Sequence, residues 1–149
     1  MFEDKINQEL KAAMLAKDEA ATRGLRAIKA AIIVAKTEKG ASGEITDDAA
    51  LKLMQKLVKQ RKESVEIFVQ QNRSELAKGE LEEIAVIEKF LPKQLDEAQV
   101  RAELKSIIEN AGLNSPADMG KVMGMASKHF AGKADNRLVS SLVKEMLGA

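Results

Sequence analysis

The amino-acid sequence predicts an all-α fold, with about four helices in an N-terminal domain and a three-helix bundle in a C-terminal domain. Aromatic residues make up only 3% of the chain, with no Trp or Tyr, although strands are rich in aromatic and β-branched residues. Ala, Leu, Lys and Glu dominate instead, and these residues favour helices. Apolar residues also recur at intervals of three and four, which is the period of an amphipathic helix.

Chain length and composition limit the kind of protein further. The 149 residues, of which 45% are hydrophobic, suffice for one large domain or two small ones with packed cores. Cysteine is absent, which excludes disulfides, thiolate metal sites and a cysteine nucleophile and favours a reducing compartment. The N-terminus lacks the features of a signal peptide, and no apolar run approaches the roughly eighteen residues of a membrane span. We therefore expect a cytoplasmic protein with no membrane partner.

Two apolar stripes predict the first two helices. The first helix extends from Phe2 to Lys17, and the second extends from Asp18 to Lys39, where Gly40 ends it. The stripe of the first helix consists of Phe2, Ile6, Leu10 and Met14. The stripe of the second consists of Leu25, Ile28, Ile32 and Ala35, and its polar side carries Arg23, Arg26 and Lys29. Both patterns are typical of helices with one buried face.

Two further stripes complete the N-terminal domain. Thr46 followed by two acids is a typical N-cap, so the third helix extends from Asp47 to Gln71. The fourth extends from Arg73 to Phe90, because proline at position 92 disfavours a helical residue before it. The buried side of the third helix consists of Leu51, Met54, Leu57, Val58, Val65, Phe68 and Val69. The buried side of the fourth consists of Leu76, Ile84, Ile87 and Leu91. The predicted domains are therefore 1–91 and 92–149.

Cap residues delimit three helices in the C-terminal domain. Asp96 and Gln99 form a capping-box pattern at the start of the first, and Gly112 is a typical C-cap at its end. Ser115 before a proline starts the second helix, and Asp135 caps the third. The residues predicted to face the bundle interior are Val100, Leu104, Ile107, Ile108, Ala111, Met119, Val122, Met123, Ala126, Leu138, Leu142, Val143 and Met146.

Charge is segregated along the chain, although the net charge is only +1. Positions 23–62 contain ten Lys or Arg and four Asp or Glu, whereas positions 75–109 contain five and nine. One interpretation is a pair of solvated helix faces, of which the fourth helix carries the acidic one. The other is a basic face that contacts phosphate and includes Lys59 and Lys62, which share one side of the third helix.

No motif of a catalytic or metal site is present in the sequence. Walker, Gly-x-Gly-x-x-Gly, His-Glu-x-x-His and Gly-x-Ser-x-Gly patterns are all absent. The single histidine, His129, cannot form a metal site by itself and is predicted to end a helix at the bundle surface. We therefore predict no catalytic residue, no metal and no cofactor.

The turn between the last two helices is the most promising candidate site. Its residues, Ala131 to Ala134, are small except for Lys133, and they are predicted to leave Lys133 and the backbone amides around Gly132 uncovered. Together with Lys121 and Arg137, these groups predict a small surface that binds phosphate.

Two glycines within the preceding helix also require an explanation. Gly120 and Gly124 lie four residues apart on one side, and glycine inside a helix costs about 1 kcal/mol relative to alanine. Either another helix packs closely against them or the backbone of a ligand approaches there.

Four ordered segments resemble a stand-alone YqeY-like protein of the GatB/YqeY family, and the match spans essentially the whole chain. They are VKQRKES at Val58–Ser64, FLPKQL at Phe90–Leu95, DMGKVMG at Asp118–Gly124 and GKAD at Gly132–Asp135. The C-terminal domain is also similar to the tail of the B subunit of the tRNA-dependent Asp/Glu amidotransferase. That tail helps the amidotransferase hold its tRNA, so the resemblance implies contact with tRNA.

The resemblance does not imply catalysis by this chain alone. The family-level description is a carbon-nitrogen ligase with glutamine as amido-N-donor, but the glutaminase and activating sites of that enzyme have no counterpart here. We expect a non-catalytic protein that binds tRNA or a tRNA-protein complex, with no DNA partner. The alternative is a protein-protein interaction module without RNA binding, in which Gly120 and Gly124 receive a partner helix.

Overall fold

The structure, a computed structural model, describes residues 2–38, 43 and 45–148 and confirms the all-α prediction. Within these residues there are seven α-helices and no strand. They are α1 (Phe2–Leu15), α2 (Glu19–Glu38), α3 (Asp47–Gln70), α4 (Ser74–Glu88), α5 (Glu97–Ala111), α6 (Met119–His129) and α7 (Asn136–Met146). A short 3-10 turn, Pro116–Asp118, precedes α6. The predicted end of the second helix at Lys39 and Gly40 lies outside the described residues.

Capping residues fix the helix ends that the sequence predicts. Ala49 N donates to Thr46 Oγ1 at 3.2 Å, and Asp96 and Gln99 exchange hydrogen bonds of 2.8 and 3.0 Å in a complete capping box. Gly112 ends α5 with a φ of 68°, a left-handed conformation that glycine adopts without strain. These contacts satisfy backbone groups that helix ends leave unpaired.

The described residues form two compact units, one ending at Leu91 and the other beginning at Pro92. In the N-terminal unit α1 packs against α2, α2 against α4, and α4 against α3; in the C-terminal unit α5, α6 and α7 contact one another. The N-terminal core consists of Ile6, Leu10, Ala13, Leu25, Ile28, Ile32, Met54, Val58, Ile84, Val86 and Ile87. The C-terminal core consists of Val100, Leu104, Val122, Ala126, Phe130, Ala134, Val139, Leu142, Val143 and Leu147. None of the described helices has the length and apolar character needed to cross a membrane.

A close contact between α2 and α4 positions the N-terminal unit's helices. Gly24 is buried against Val86, and Arg23 Nη2 pairs with Glu82 Oε2 at 2.8 Å. The small residues of α2 that share this side are Ala20, Ala27 and Ala31. The first half of α2 therefore lies beside the second half of α4.

Four residues that were predicted to be buried are instead exposed. They are Met14, Val69, Leu76 and Ala111, and the first three are 51%, 60% and 43% exposed. Val69 and Leu76 lie at the tip of the α3–α4 hairpin, about two helical turns beyond the point where α2 meets Glu82. No described helix covers this tip, so an apolar stripe that is continuous in sequence ends in solvent. Met14 and Ala111 lie in the last turns of α1 and α5, at the edges of their units.

Candidate nucleic-acid interface

Acidic residues of α4 neutralise cations of α2 and α3. Besides Arg23 and Glu82, Arg61 lies 4.0 Å from both Glu80 and Glu83, and its side chain is only 17% exposed. The prediction that α4 carries a solvated acidic face is therefore wrong, because its carboxylates are half-buried and face basic side chains. The segregation of charge along the N-terminal sequence is thus in part an internal complementarity, since Arg23, Arg61 and Lys62 face acids of α4.

The structure places Lys59 and Lys62 in this paired region. Lys62 Nζ lies 3.7 Å from Glu88 Oε1, and Lys59 is half-buried and also has a partner in the structure. Both belong to the N-terminal unit, whereas Lys121, Lys133 and Arg137 belong to the C-terminal unit. The structure thus does not bring the five predicted cations together within one unit.

The turn after α6 is more enclosed than its small residues predict. Gly132, with a φ of 74°, and Ala134 are buried. Lys133 N and Ala134 N both donate to Phe130 O, at 2.9 and 3.3 Å. Gln94 Nε2 donates to Gly132 O at 2.6 Å, and a second bond of 2.9 Å joins Leu95 N to Lys133 O. The amides of Lys133 and Ala134 are therefore not uncovered as predicted, because the turn folds back on itself, and two of its carbonyls accept bonds from the segment before α5.

The start of α7 already has an anionic partner. Arg137 N donates to Asp135 Oδ1 at 3.0 Å, so a carboxylate of the chain already caps the N-terminus of α7. Lys133 is half-buried in the turn. Lys121 lies near the N-terminal end of α6, eight residues before His129, which ends the helix. At 1.5 Å per residue these two residues are about 12 Å apart along the helix axis. Lys121 and Lys133 are therefore not side by side.

Lys121 and Lys128 form an exposed row along α6, since residues seven apart lie two turns apart on one face. Gly120 and Gly124 lie beside this row and are exposed, and a Cβ built on either would meet no atom within 4 Å. For the described residues, the interpretation that another helix of the chain packs against these glycines is therefore wrong. The surface beside the two lysines is smooth and open.

A second row, Arg137 and Lys144, repeats this seven-residue spacing on the neighbouring helix α7, and both residues are exposed. Two contacts show which side of each helix faces α5. On α6, His129 Nε2 lies 3.3 Å from Glu103 Oε1, and on α7, Glu145 Oε1 lies 3.3 Å from Arg101 Nη1. Each basic row lies about a quarter turn from its α5 contact, on the side away from the core. Both rows therefore face solvent on adjoining helices.

We call these four residues, Lys121, Lys128, Arg137 and Lys144, the α6–α7 basic face. None of them has a carboxylate within 4.0 Å among the residues that the structure describes. Residues 119–144 contain five Lys or Arg and only one acid, Asp135. Here the cations are not neutralised by the chain itself, in contrast to those that face α4.

Comparison with known proteins places the chain in a family. The family model described as Yqey-like protein matches residues 3–147. The chain belongs to the Yqey-like protein family. It is 30% identical to a Lachancea thermotolerans protein named altered inheritance of mitochondria protein 41, mitochondrial, over 93% of this chain and 75% of that protein. A protein of the same name from Pyrenophora tritici-repentis is 32% identical over 97% of this chain and 80% of its own length.

In this Yqey-like protein, Lys128 and Lys144 are the members of the basic face that sequence reasoning missed. The signal that could have identified them is the repeated seven-residue spacing, from Lys121 to Lys128 and from Arg137 to Lys144. The pattern belongs to the outer faces of two helices and not to the turn that joins them.

Several other ionisable groups of the unit have local partners, among them Arg101, Lys105 and His129. Hydrogen bonds to Glu145 and then Glu97 raise the pKa of Arg101, which is always charged in any case. His129 ends α6 at the surface, as predicted. In the described part of the chain, no group of three His, Asp or Glu residues is arranged to hold a metal ion.

Proposed function

We propose that this Yqey-like protein binds tRNA, or a tRNA-protein complex, through the α6–α7 basic face. The observation that carries the proposal is the set of four exposed cations on two adjoining helices, none of which has a carboxylate partner in the described structure. Cations arranged in this way attract a polyanion, and binding releases the counterions of the phosphates. Lys133 in the adjacent turn adds a fifth positive charge at one end of the face.

Structured RNA matches this face better than an unpaired strand. Proteins that hold single strands stack bases on exposed aromatic rings. In this unit Phe130 is 1% exposed, and no other Phe, Tyr or Trp occurs after position 90. Recognition is then by shape and backbone, for which the open surface at Gly120 and Gly124 allows close approach of a sugar-phosphate chain.

The resemblance to the amidotransferase tail supports tRNA as the RNA. Neither that resemblance nor the arrangement of side chains supports amide transfer by this chain alone. We expect the purified protein to release no ammonia from glutamine, with or without tRNA, and a standard ammonia assay would detect it.

A titration with folded tRNA at several salt concentrations tests the proposal. Replacing Lys121 and Lys128 with alanine should lower affinity and reduce the slope of log affinity against log salt by about 0.7 to 0.9 per lost phosphate contact. Arg137→Ala with Lys144→Ala should have the same effect. The matched control is Lys52→Ala with Lys56→Ala, which removes two exposed cations from α3 and should change neither quantity. Equal affinity of all four proteins for tRNA would refute the proposal.

A protein partner at the same glycines is the second candidate, favoured by the open space at Gly120 and Gly124. A partner helix could pack there as small residues allow. Gly124→Leu distinguishes the two, because it should abolish helix docking completely but only weaken RNA binding while the four cations remain.

A further inference from the structure

A groove between α1 and α2 is a second surface that the proposed RNA contact does not use. One cleft of about 510 Å³ is lined by Met14, Lys17, Glu19, Thr22, Arg23 and Arg26. A smaller one of about 50 Å³ is lined by Glu3, Ile6, Asn7, Lys29, Ile32 and Ile33. Asn7 and Met14 are seven residues apart on α1, and Arg26, Lys29 and Ile33 follow the three-and-four spacing on α2. Both clefts therefore lie on the same side of the helix pair, and we call them together the α1–α2 groove.

The groove combines unneutralised positive charge with exposed apolar side chains. Lys17, Arg26 and Lys29 have no carboxylate within 4.0 Å in the described residues. Glu3 pairs with Lys36, whose Nζ lies 3.1 Å from Glu3 Oε1. The other acid in the lining is Glu19, at the end of the groove near Met14. Met14 and Ile33, at opposite ends, are 51% and 54% exposed. An isolated exposed apolar residue is ordinary, but here each lines a cleft together with a cation, Met14 with Arg26 and Ile33 with Lys29.

This combination has a complementary ligand. We propose that the α1–α2 groove binds an acidic amphipathic helix of a partner protein, whose apolar side chains contact Met14 and Ile33 and whose carboxylates pair with Arg26 and Lys29. From Thr22 to Ile33 the groove extends about 16 Å at 1.5 Å per residue, which is the length of three helical turns. A helix lying in a groove contacts it through apolar residues on one face, and two such residues eleven positions apart would reach both ends. RNA would pair with the cations but would leave the two apolar ends uncovered, so a protein helix matches the whole groove better.

Selection from a library of displayed helical peptides tests the proposal on the full chain. Peptides enriched on the protein should carry Leu, Ile or Phe at positions i and i+11, which lie about 16 Å apart on one helix face, with Asp or Glu between them. Arg26→Glu with Lys29→Glu should weaken an enriched peptide about tenfold or more, because it opposes like charges. Met14→Ser with Ile33→Ser should weaken it by a similar factor through loss of the anchors.

The control is Lys52→Glu with Lys56→Glu, which reverses two exposed charges on α3 and should change affinity less than about twofold. Thermal unfolding of each variant verifies that it is folded. Enrichment of uncharged or basic peptides, or equal enrichment on the Arg26→Glu, Lys29→Glu protein, would overturn the proposal. So would an RNA pool that the wild-type protein retains and that this double variant loses, since the groove would then belong to nucleic acid.

Discussion

Gly24 and Val86 lie so close that a Cβ built on Gly24 would be 2.7 Å from Val86 Cγ1 and 2.8 Å from Val86 Cβ. The nearest atoms belong to a short, branched side chain, which cannot turn away as the end of a long one can. This contact holds α2 against α4 and depends on the missing side chain. The role of Gly24 within α2 is therefore to allow close packing of the two helices.

Gly24→Ala should therefore lower the free energy of unfolding by about 1 to 3 kcal/mol through overpacking. The matched control is Gly79→Ala in α4, where a Cβ would meet nothing within 4 Å. That variant should raise the free energy of unfolding by up to about 1 kcal/mol, because alanine is the better helix former. Urea unfolding of both variants measures the difference, and effects of the same sign would contradict the packing role.

The ion pairs of Arg61 should contribute more to stability than those of Lys62. Arg61→Met keeps an apolar stem but leaves Glu80 and Glu83, whose side chains are 26% and 19% exposed, without their cation. We expect a loss of about 2 kcal/mol, below the range for fully buried pairs. Lys62→Met breaks a pair in which the lysine is 61% exposed and should cost less than about 1 kcal/mol. Equal losses in chemical unfolding would show that burial does not distinguish the two pairs.

Asp135→Ala should separate stability from RNA binding. Loss of the cap on α7 should lower the free energy of unfolding by about 1 kcal/mol, yet removal of the only acid in residues 119–144 should strengthen tRNA binding. Asp96→Ala is the matched control, since it removes a similar cap from α5. It should lower stability by a comparable amount and leave tRNA affinity almost unchanged. The paired measurements are thermal unfolding and fluorescence anisotropy with labelled tRNA.

Lys62→Ala should leave tRNA affinity within about twofold of the wild-type value, because Glu88 already neutralises Lys62. Lys128 has no such partner, so Lys128→Ala should reduce tRNA affinity measurably at the same salt concentration. If Lys62→Ala were the more damaging change, RNA would contact the α3–α4 side, and the assignment to α6 and α7 would fail.

The fold could be predicted from the sequence because helix ends and apolar stripes are local signals. Thr46, Asp96 and Gly112 carry their capping information in one or two neighbouring residues, and the structure places each as predicted. Burial was predictable only where other helices cover a stripe. Val69 and Leu76 continue the correct period, but whether α2 reaches them depends on where it meets α4, which no local pattern specifies.

The candidate site was harder to predict, since it depends on which charges the chain neutralises itself. The sequence shows that Lys62 and Glu88 have opposite signs but not that they meet across two helices. Similarly, small residues between Ala131 and Ala134 indicate a turn, but the bond from Gln94 to Gly132 O that closes it joins residues 38 apart. The carbonyl of Gly132 is therefore occupied, and the amides of Lys133 and Ala134 donate to Phe130 O, whereas Lys121 and Arg137 are exposed in the structure.

Charge is unevenly distributed in the C-terminal unit, and this distribution should affect the side from which a polyanion approaches. Residues 96–111 contain four Asp or Glu and two Lys or Arg, whereas residues 119–144 are strongly basic. The net charge is therefore negative along α5 and positive along α6 and α7, and the influence of these charges falls off over a Debye length of about 8 Å at physiological ionic strength. An incoming RNA should be repelled from α5 and turned toward α6 and α7 before contact, so added salt should slow the association rate more than it speeds dissociation.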